Sequence, residues 1–250
     1  MGLEMRRFVF DPEMQDDDKV LLSTAESYHI TRVLRLQPGT GIEVLDGRGG
    51  VYAAEIVEVG PSVVIRLLGR REEGDSGRVR LWVGQGLLKG GKMDGTVQQC
   101  TELGVTRLTP FVSSRCQGSI NEQRGRHKAE RWERIVVAAC KQCRRSTLMR
   151  VDEPIDFMAM ITEVDDGPGT LRLIFWEEEQ DFRLHRDLLR PETIDTVCIL
   201  LGPEGGLAPA EIAAARESGW QTVSLGRRIL RAETATLTAV SLVQYLAGNL

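Results

Sequence analysis

Residues 79–250 alternate short apolar runs with longer amphipathic stretches, a pattern that predicts an α/β fold built on a parallel sheet. Two further observations complete the prediction. The stretch before residue 70 holds mainly short β-type runs and turn signals, so a small separate β module precedes the α/β part. Between them REEGDSG, Arg71 to Gly77, breaks the alternation with charge and glycine and reads as a linker, dividing the chain into 1–73 and 77–250.

In the first part the β-type runs are Phe8 to Phe10, Gly41 to Leu45, Val51 to Val59 and Val63 to Leu68. Turn signals lie at Pro38-Gly39, Asp46-Gly47 and Gly60-Pro61, which suggests a small β-barrel. One helix is expected over Glu26 to Leu36, placing Arg32 and Arg35 a turn apart and both outward.

Past the linker, a strand at Val79 to Val83 precedes a helix over Met93 to Leu103 and a strand near Arg107 to Val112. A basic helix follows. Its Trp132, Ile135, Val136, Ala139, Cys140 and Cys143 fall at helical spacing as a buried stripe, opposite His127, Arg134, Lys141 and Arg145. From Arg115 to Arg145 nine Arg or Lys stand against three Glu, a balance of +6. A nucleic-acid contact or an ordinary solvated face both fit. Leu171 to Trp176, Thr196 to Leu201 and Gln221 to Leu225 then read as buried strands, with helices over Pro209 to Ser218 and Glu233 to Ala247. The last helix carries Leu237, Val240, Val243 and Leu246 on one side, with Leu242, Ala235 and Ala239 extending the apolar surface. It can bury that surface within the chain or against a second subunit.

The 250 residues suffice for a substantial core, burying roughly 70–75% of the unfolded surface. A net charge of −4 confines any nucleic-acid binding to local patches, and 27 of the 32 basic residues are arginine, the side chain suited to bidentate phosphate contacts. No run of 18 uncharged apolar residues occurs, and the start of the sequence lacks a signal-peptide core, so no membrane association and a cytoplasmic location are expected. Five scattered cysteines read as reduced thiols. The lone CxxC of Cys140 and Cys143 belongs to the helix stripe, and with no second pair or nearby His pair no metal is expected.

Two loops near the C-terminus carry the most chemistry. LGPEGG, Leu201 to Gly206, and LGRRILRAETA, Leu225 to Ala235, each follow an apolar strand, where open α/β sheets bind ligands. The first is a poor phosphate cradle because Pro203 has no N–H and Glu204 repels anions; a cationic or zwitterionic ligand suits it better. Gly202, Gly205 and Gly206 allow close backbone approach, although a plain glycine turn would look the same. In the second loop Gly226 begins a run in which Ile229 and Leu230 can wall a flat ring while Arg231 meets an anionic or carbonyl partner; a solvated basic turn is the other reading. A phosphate loop with clustered Asp is missing, as is G-x-S-x-G, which argues against nucleotide and serine hydrolases.

Together these loops resemble the RsmE family of SPOUT-class methyltransferases. Agreement continues through KMDGTVQQCTELGV from Lys92 to Val105, the Gln142 to Arg145 segment and HITRVLRLQPG from His29 to Gly39, so it spans nearly the whole chain. The departure is Cys143-Arg144, where the family usually carries Ser-Gly. The resemblance implies a SPOUT-type α/β domain with a C-terminal trefoil knot, an N-terminal PUA-like β-barrel, and a homodimer formed through the C-terminal domain. It implies S-adenosylmethionine as cofactor and methylation of N3 of a uridine in 16S ribosomal RNA of the small subunit. Another RNA or atom, or a non-catalytic ribosome-binding protein, is the alternative. Carried onto this sequence, Leu201, Gly202, Pro203, Glu204, Gly205, Leu225, Gly226, Ile229 and Leu230 bind the cofactor, and Arg231 and Glu233 are catalytic, Glu233 relaying a proton or orienting Arg231. Arg6, Arg7, Arg32, Arg35, Lys89, Arg134, Lys141 and Arg145 are the expected RNA contacts.

Overall fold

The computed structural model describes residues 6–71, 77–116, 122–164, 167–190 and 192–250; most of the expected linker, 72–76, lies outside them. Contacts divide the chain into two compact units, Met1–Ser76 with Val137–Leu148, and Gly77–Val136 with Met149–Leu250.

The first unit contains β1 (Arg7–Val9), β2 (Gln15–Asp16), β3 (Lys19–Leu21), α1 (Thr24–Tyr28), β4 (Gly41–Leu45), β5 (Val51–Val59) and β6 (Val63–Arg71). They pair as a six-stranded mixed sheet in the order β1-β4-β5-β6-β3-β2, in which only β1 and β4 run parallel. That is an open path; among the described residues no pairing joins β2 to β1 to close the expected barrel. The hairpin of β2 and β3 was not legible because QDDDKVL offers one buried side chain, Val20. Phe8, Ile30, Val44, Ile56 and Ile65 form the core, all fully buried.

Ser23 caps α1, its Oγ accepting from Glu26 N at 3.3 Å, which starts the expected helix two residues early. The α-helix stops at Tyr28, and one wider π turn covers His29–Leu34. Arg35 then adopts the left-handed conformation (φ +52°), so it stands beyond the helix and not one turn after Arg32; both side chains are nevertheless exposed.

The second unit contains β7 (Arg80–Gly86), α2 (Lys92–Glu102), β8 (Arg107–Val112), α3 (Glu122–Cys143, whose last turns fall with the first unit), β9 (Arg150–Val151), β10 (Ile155–Asp156), α4 (Phe157–Glu163), β11 (Thr170–Phe175), β12 (Thr196–Leu201), α5 (Pro209–Glu217), β13 (Gln221–Val223) and α6 (Ala232–Leu246). Its sheet is parallel throughout, ordered β10-β8-β7-β12-β11-β13 with β9 beside β8. The α/β prediction is met. In β12 every residue from Val197 to Leu201 is buried, as expected of a strand covered on both faces. Register puts Leu201 opposite both Gln85 and Phe175, and Phe175 opposite Val223, so the C-terminal ends of four strands lie level at one edge.

Of the expected stripe on α3, Trp132, Val136, Ala139 and Cys140 are buried, while Ile135 and Cys143 are half-buried. Trp132 Nε1 donates to Asp94 Oδ1 at 3.1 Å, which fastens α3 to α2. The helix ends at Cys143, and Arg144 is left-handed (φ +65°). Arg145 therefore lies past the helix, 8% exposed, and does not share the face of His127 and Arg134.

Candidate cofactor and RNA site

The level strand ends of the second unit carry a cavity of about 310 Å³. Its walls come from the segment Phe175–Glu177 after β11, the turn from Leu201 after β12, the loop Leu225–Arg231 after β13 and the first turn of α6, with Lys92 of α2 at one side. A crevice at the carboxyl ends of parallel strands is where open α/β sheets bind ligands.

Two glycines are needed for this shape. Gly86, the last residue of β7, lies so close to the turn after β12 that a Cβ there would sit 2.5 Å from Pro203 N and 2.9 Å from Gly202 C. Gly206 closes that turn at φ +67°, and its N–H donates to Pro203 O at 2.9 Å.

Eight of the nine expected cofactor residues, and both expected catalytic residues, line the cavity. Gly205 does not. Its backbone faces Arg115, whose Nη1 donates to Gly205 O at 3.2 Å. The resemblance also implied that the loop after Trp176 folds around the cofactor, and Trp176 and Glu177 do line the cavity; Lys92, Phe175, Arg227, Arg228 and Ala232 were not named as wall residues. Phe175 had a signal, since it ends the apolar run that leads into that loop; Lys92 had none, being far away in sequence.

Charge is unevenly distributed in the cavity. Lys92 Nζ bridges the two loops, 3.5 Å from Glu204 Oε1 and 3.3 Å from Glu233 Oε2. Burial pushes the Glu204 carboxyl up, but hydrogen bonds from Lys89 N (3.1 Å), its own N–H and Lys92 outweigh it and hold the group below its ordinary value. Glu233 is also lowered, first by its own backbone N–H in the opening turn of α6, then by Lys92 and the nearby Arg231 charge. Its hydrogen-bond partner is thus Lys92 rather than Arg231, and a carboxylate held so acidic is a weak proton acceptor. Among the described residues Glu177 makes no salt bridge, and neither do Arg227, Arg228 or Arg231, all exposed; Ile229 between them is 86% exposed.

The expected RNA contacts separate into two groups. Arg6, Arg32, Arg35, Lys89 and Arg134 are exposed. Arg7 is not, because it pairs with Glu43 and both side chains are 7% exposed. Lys141 turns into the first unit and donates to Glu26 Oε1 at 2.7 Å, while Arg145 is buried. The helical wheel put these two outward because it extended α3 past its end and omitted the buried acid at position 26.

Residues 75–244 match the family model described as an RNA methyltransferase domain, and residues 14–68 match the RNA methyltransferase PUA domain. The chain is 35% identical to the ribosomal RNA small subunit methyltransferase E of Synechocystis sp. over 240 residues, 96% of this chain and 77% of that protein. It is 28% identical to the Bacillus subtilis protein of the same name over 88% of this chain and 87% of the other. Among solved structures, the Neisseria gonorrhoeae ribosomal RNA small subunit methyltransferase E bound to S-adenosyl methionine is similar, with TM-score 0.86 and 30% identity over 97% of this chain and 98% of that one.

Proposed function

The chain belongs to the ribosomal RNA small subunit methyltransferase E family, and from that premise we propose that it methylates N3 of a uridine in 16S ribosomal RNA with S-adenosylmethionine as donor. The observation that carries this reading is the cavity itself, where apolar walls and carboxylates meet three arginines that make no salt bridge among the described residues. The donor fits on chemical grounds. Leu201, Leu225, Ile229 and Leu230 suit a flat base, the close backbone at Gly202 and Gly206 offers polar groups, and Glu177 suits a cationic group.

When bound, the donor supplies an electrophilic methyl carbon on a sulfonium. The protein's main contribution is placement, since alignment of donor and acceptor is worth roughly 7–11 kcal/mol against ~3–5 kcal/mol for a general base. Arg231 at the mouth reaches toward a uracil carbonyl and stabilises the imide anion left when the N3 proton passes to solvent water. Glu233, drawn to Lys92, fixes the first turn of α6 on which Arg231 rests as N-cap and is not the base. Arg6, Arg32 and Arg35 of the first unit and Lys89 and Arg134 of the second are phosphate contacts. The interleaved order β7-β12-β11-β13 supports the trefoil knot, and the exposed Leu242 (40%) and Tyr245 (68%) of α6 support a homodimer. No helix among the described residues is long and apolar enough to cross a membrane, in keeping with action on ribosomal subunits in the cytoplasm.

Methyl transfer to undermethylated small subunits, with nucleosides mapped by mass spectrometry, tests the assignment. N3-methyluridine must appear with the wild type and fall by about 10²-fold or more with Arg231→Ala at unchanged donor affinity. Wild-type turnover in that variant removes Arg231 from the chemistry, and methylation of another atom overturns the assignment.

A further inference from the structure

One polar side chain in the second unit is wholly buried and joins the turn after β12 to helix α6, whose first turn walls the cavity. Gln85, next to last in β7, is 0% exposed. Its Oε1 accepts from Thr236 Oγ1 at 2.5 Å, and its Nε2 donates to Gly86 O at 3.0 Å and to Gly202 O at 3.3 Å. Gly202 opens the turn after β12; Thr236 lies on α6, five residues after Arg231 and three after Glu233. Neither Gln85 nor Thr236 is among the residues that line the cavity.

We propose that Gln85 and Thr236 are positioning residues that couple the donor-binding turn at Gly202 to the helix turn carrying Arg231. This rests on the reading of the cavity as the methyl-donor site. A primary amide is the side chain that can do this from inside a core, because it offers a donor edge to two carbonyls and an acceptor to a hydroxyl. The polarity is fixed by those partners: both carbonyls require the NH₂ edge, which leaves the oxygen for Thr236. The Thr236 hydroxyl has one proton and two acceptors in reach, Gln85 Oε1 at 2.5 Å and Ala232 O at 2.9 Å. Its bond to Gln85 therefore competes with the ordinary bond back along its own helix. A shift of the Gly202 carbonyl moves the amide, changes that competition and reaches the first turn of α6. Donor binding at one loop and the placement of Arg231 at the other are then a single event. Buried amides are costly when half-satisfied, so the network responds as a unit.

The test uses the whole protein with Thr236→Val, Thr236→Ser, Gln85→Met and the Thr236→Val/Gln85→Met pair. Donor affinity is read by calorimetry, turnover on undermethylated small subunits at saturating donor, and folding by thermal unfolding. Thr236→Val keeps the shape and loses the hydroxyl; it and Gln85→Met each lower donor affinity roughly tenfold and lower turnover as well. The pair is no worse than the poorer single variant, and Thr236→Ser restores both readouts. Folded variants that keep wild-type affinity and turnover overturn the proposal, as do losses that multiply in the pair or a Thr236→Ser protein no better than Thr236→Val. A wild-type protein that binds no donor instead removes the reading of the cavity.

Discussion

Replacing Gly86 by alanine tests whether the close approach of strand β7 to the turn after β12 builds the cavity. The added Cβ would lie 2.5 Å from Pro203 N and 2.6 Å from Pro203 Cδ, where ordinary contacts begin near 3.4 Å. Strand or turn must therefore move by 0.9 Å, from 3.4 − 2.5. No flexible side chain can absorb this, since the obstacles are a backbone nitrogen and a proline ring. Overpacking of this kind costs about 1–3 kcal/mol. The displacement falls on Gly202 and Pro203, both cavity walls, and misplacement near 1 Å can cost ~10²-fold in rate. Thermal unfolding should thus show a modest loss of stability, and calorimetry and turnover a much larger loss of function. A Gly86→Ala protein with wild-type unfolding and wild-type donor affinity would refute the reasoning.

Gly95, within α2, has nothing within 4 Å of a built Cβ, so Gly95→Ala should raise stability by roughly 0.5–1 kcal/mol in denaturant unfolding. Lys141→Met leaves the Glu26 carboxylate, 8% exposed, without its ammonium and should cost ~3 kcal/mol of stability, yet leave the salt dependence of RNA binding unchanged. Arg134→Ala should do the reverse, lowering that salt slope by about one at unchanged unfolding. The Glu179 carboxyl is lowered from 4.5, chiefly by the Thr222 hydroxyl at 2.5 Å, with Asp181 N, Phe182 N and Arg216 adding to it against burial. A lowered carboxylate stabilises the fold above its unfolded value, and that contribution disappears as pH falls through the folded one. Thr222→Val should therefore destabilise at neutral pH, and the gap from wild type should narrow below pH 4.5; a gap constant from pH 7 to 3 contradicts it.

The second unit was legible from sequence because its central strands are apolar runs, and β7 and β12 end at Gly86 and Gly202. Thr196 to Leu201 matches β12 residue for residue, and Arg107 to Val112 matches β8. Most of the failures originate in information that is not local. Helix α4 is an exception: Phe157, Met160, Ile161 and Val164 fall at helical spacing and all are buried, but the helix is only seven residues long and went unread. The outward placement of Lys141 failed because Glu26 is 115 residues away. Arg144 shows the converse. The Cys143-Arg144 departure from the family's Ser-Gly pair could be recognised but not interpreted until its φ of +65° showed why glycine suits that position. The wall residue Lys92 became visible only once the sheet order had brought α2 beside two loops that follow it by more than a hundred residues.

The cavity must accept a cationic donor and a polyanionic RNA, demands that conflict electrostatically. Lys92 resolves the conflict by its position. It bridges Glu204 and Glu233, so one ammonium halves the charge that these two carboxylates present to incoming phosphate, while Glu177 on the opposite loop makes no salt bridge among the described residues. The arginines stand at the exposed lip, where a phosphate keeps much of its hydration and the guanidinium still attracts it. Reversing the charge at position 92, as in Lys92→Glu, places a third carboxylate beside two others and should weaken RNA binding more than donor binding. Equal loss of both would mean that Lys92 serves only to hold the loops together.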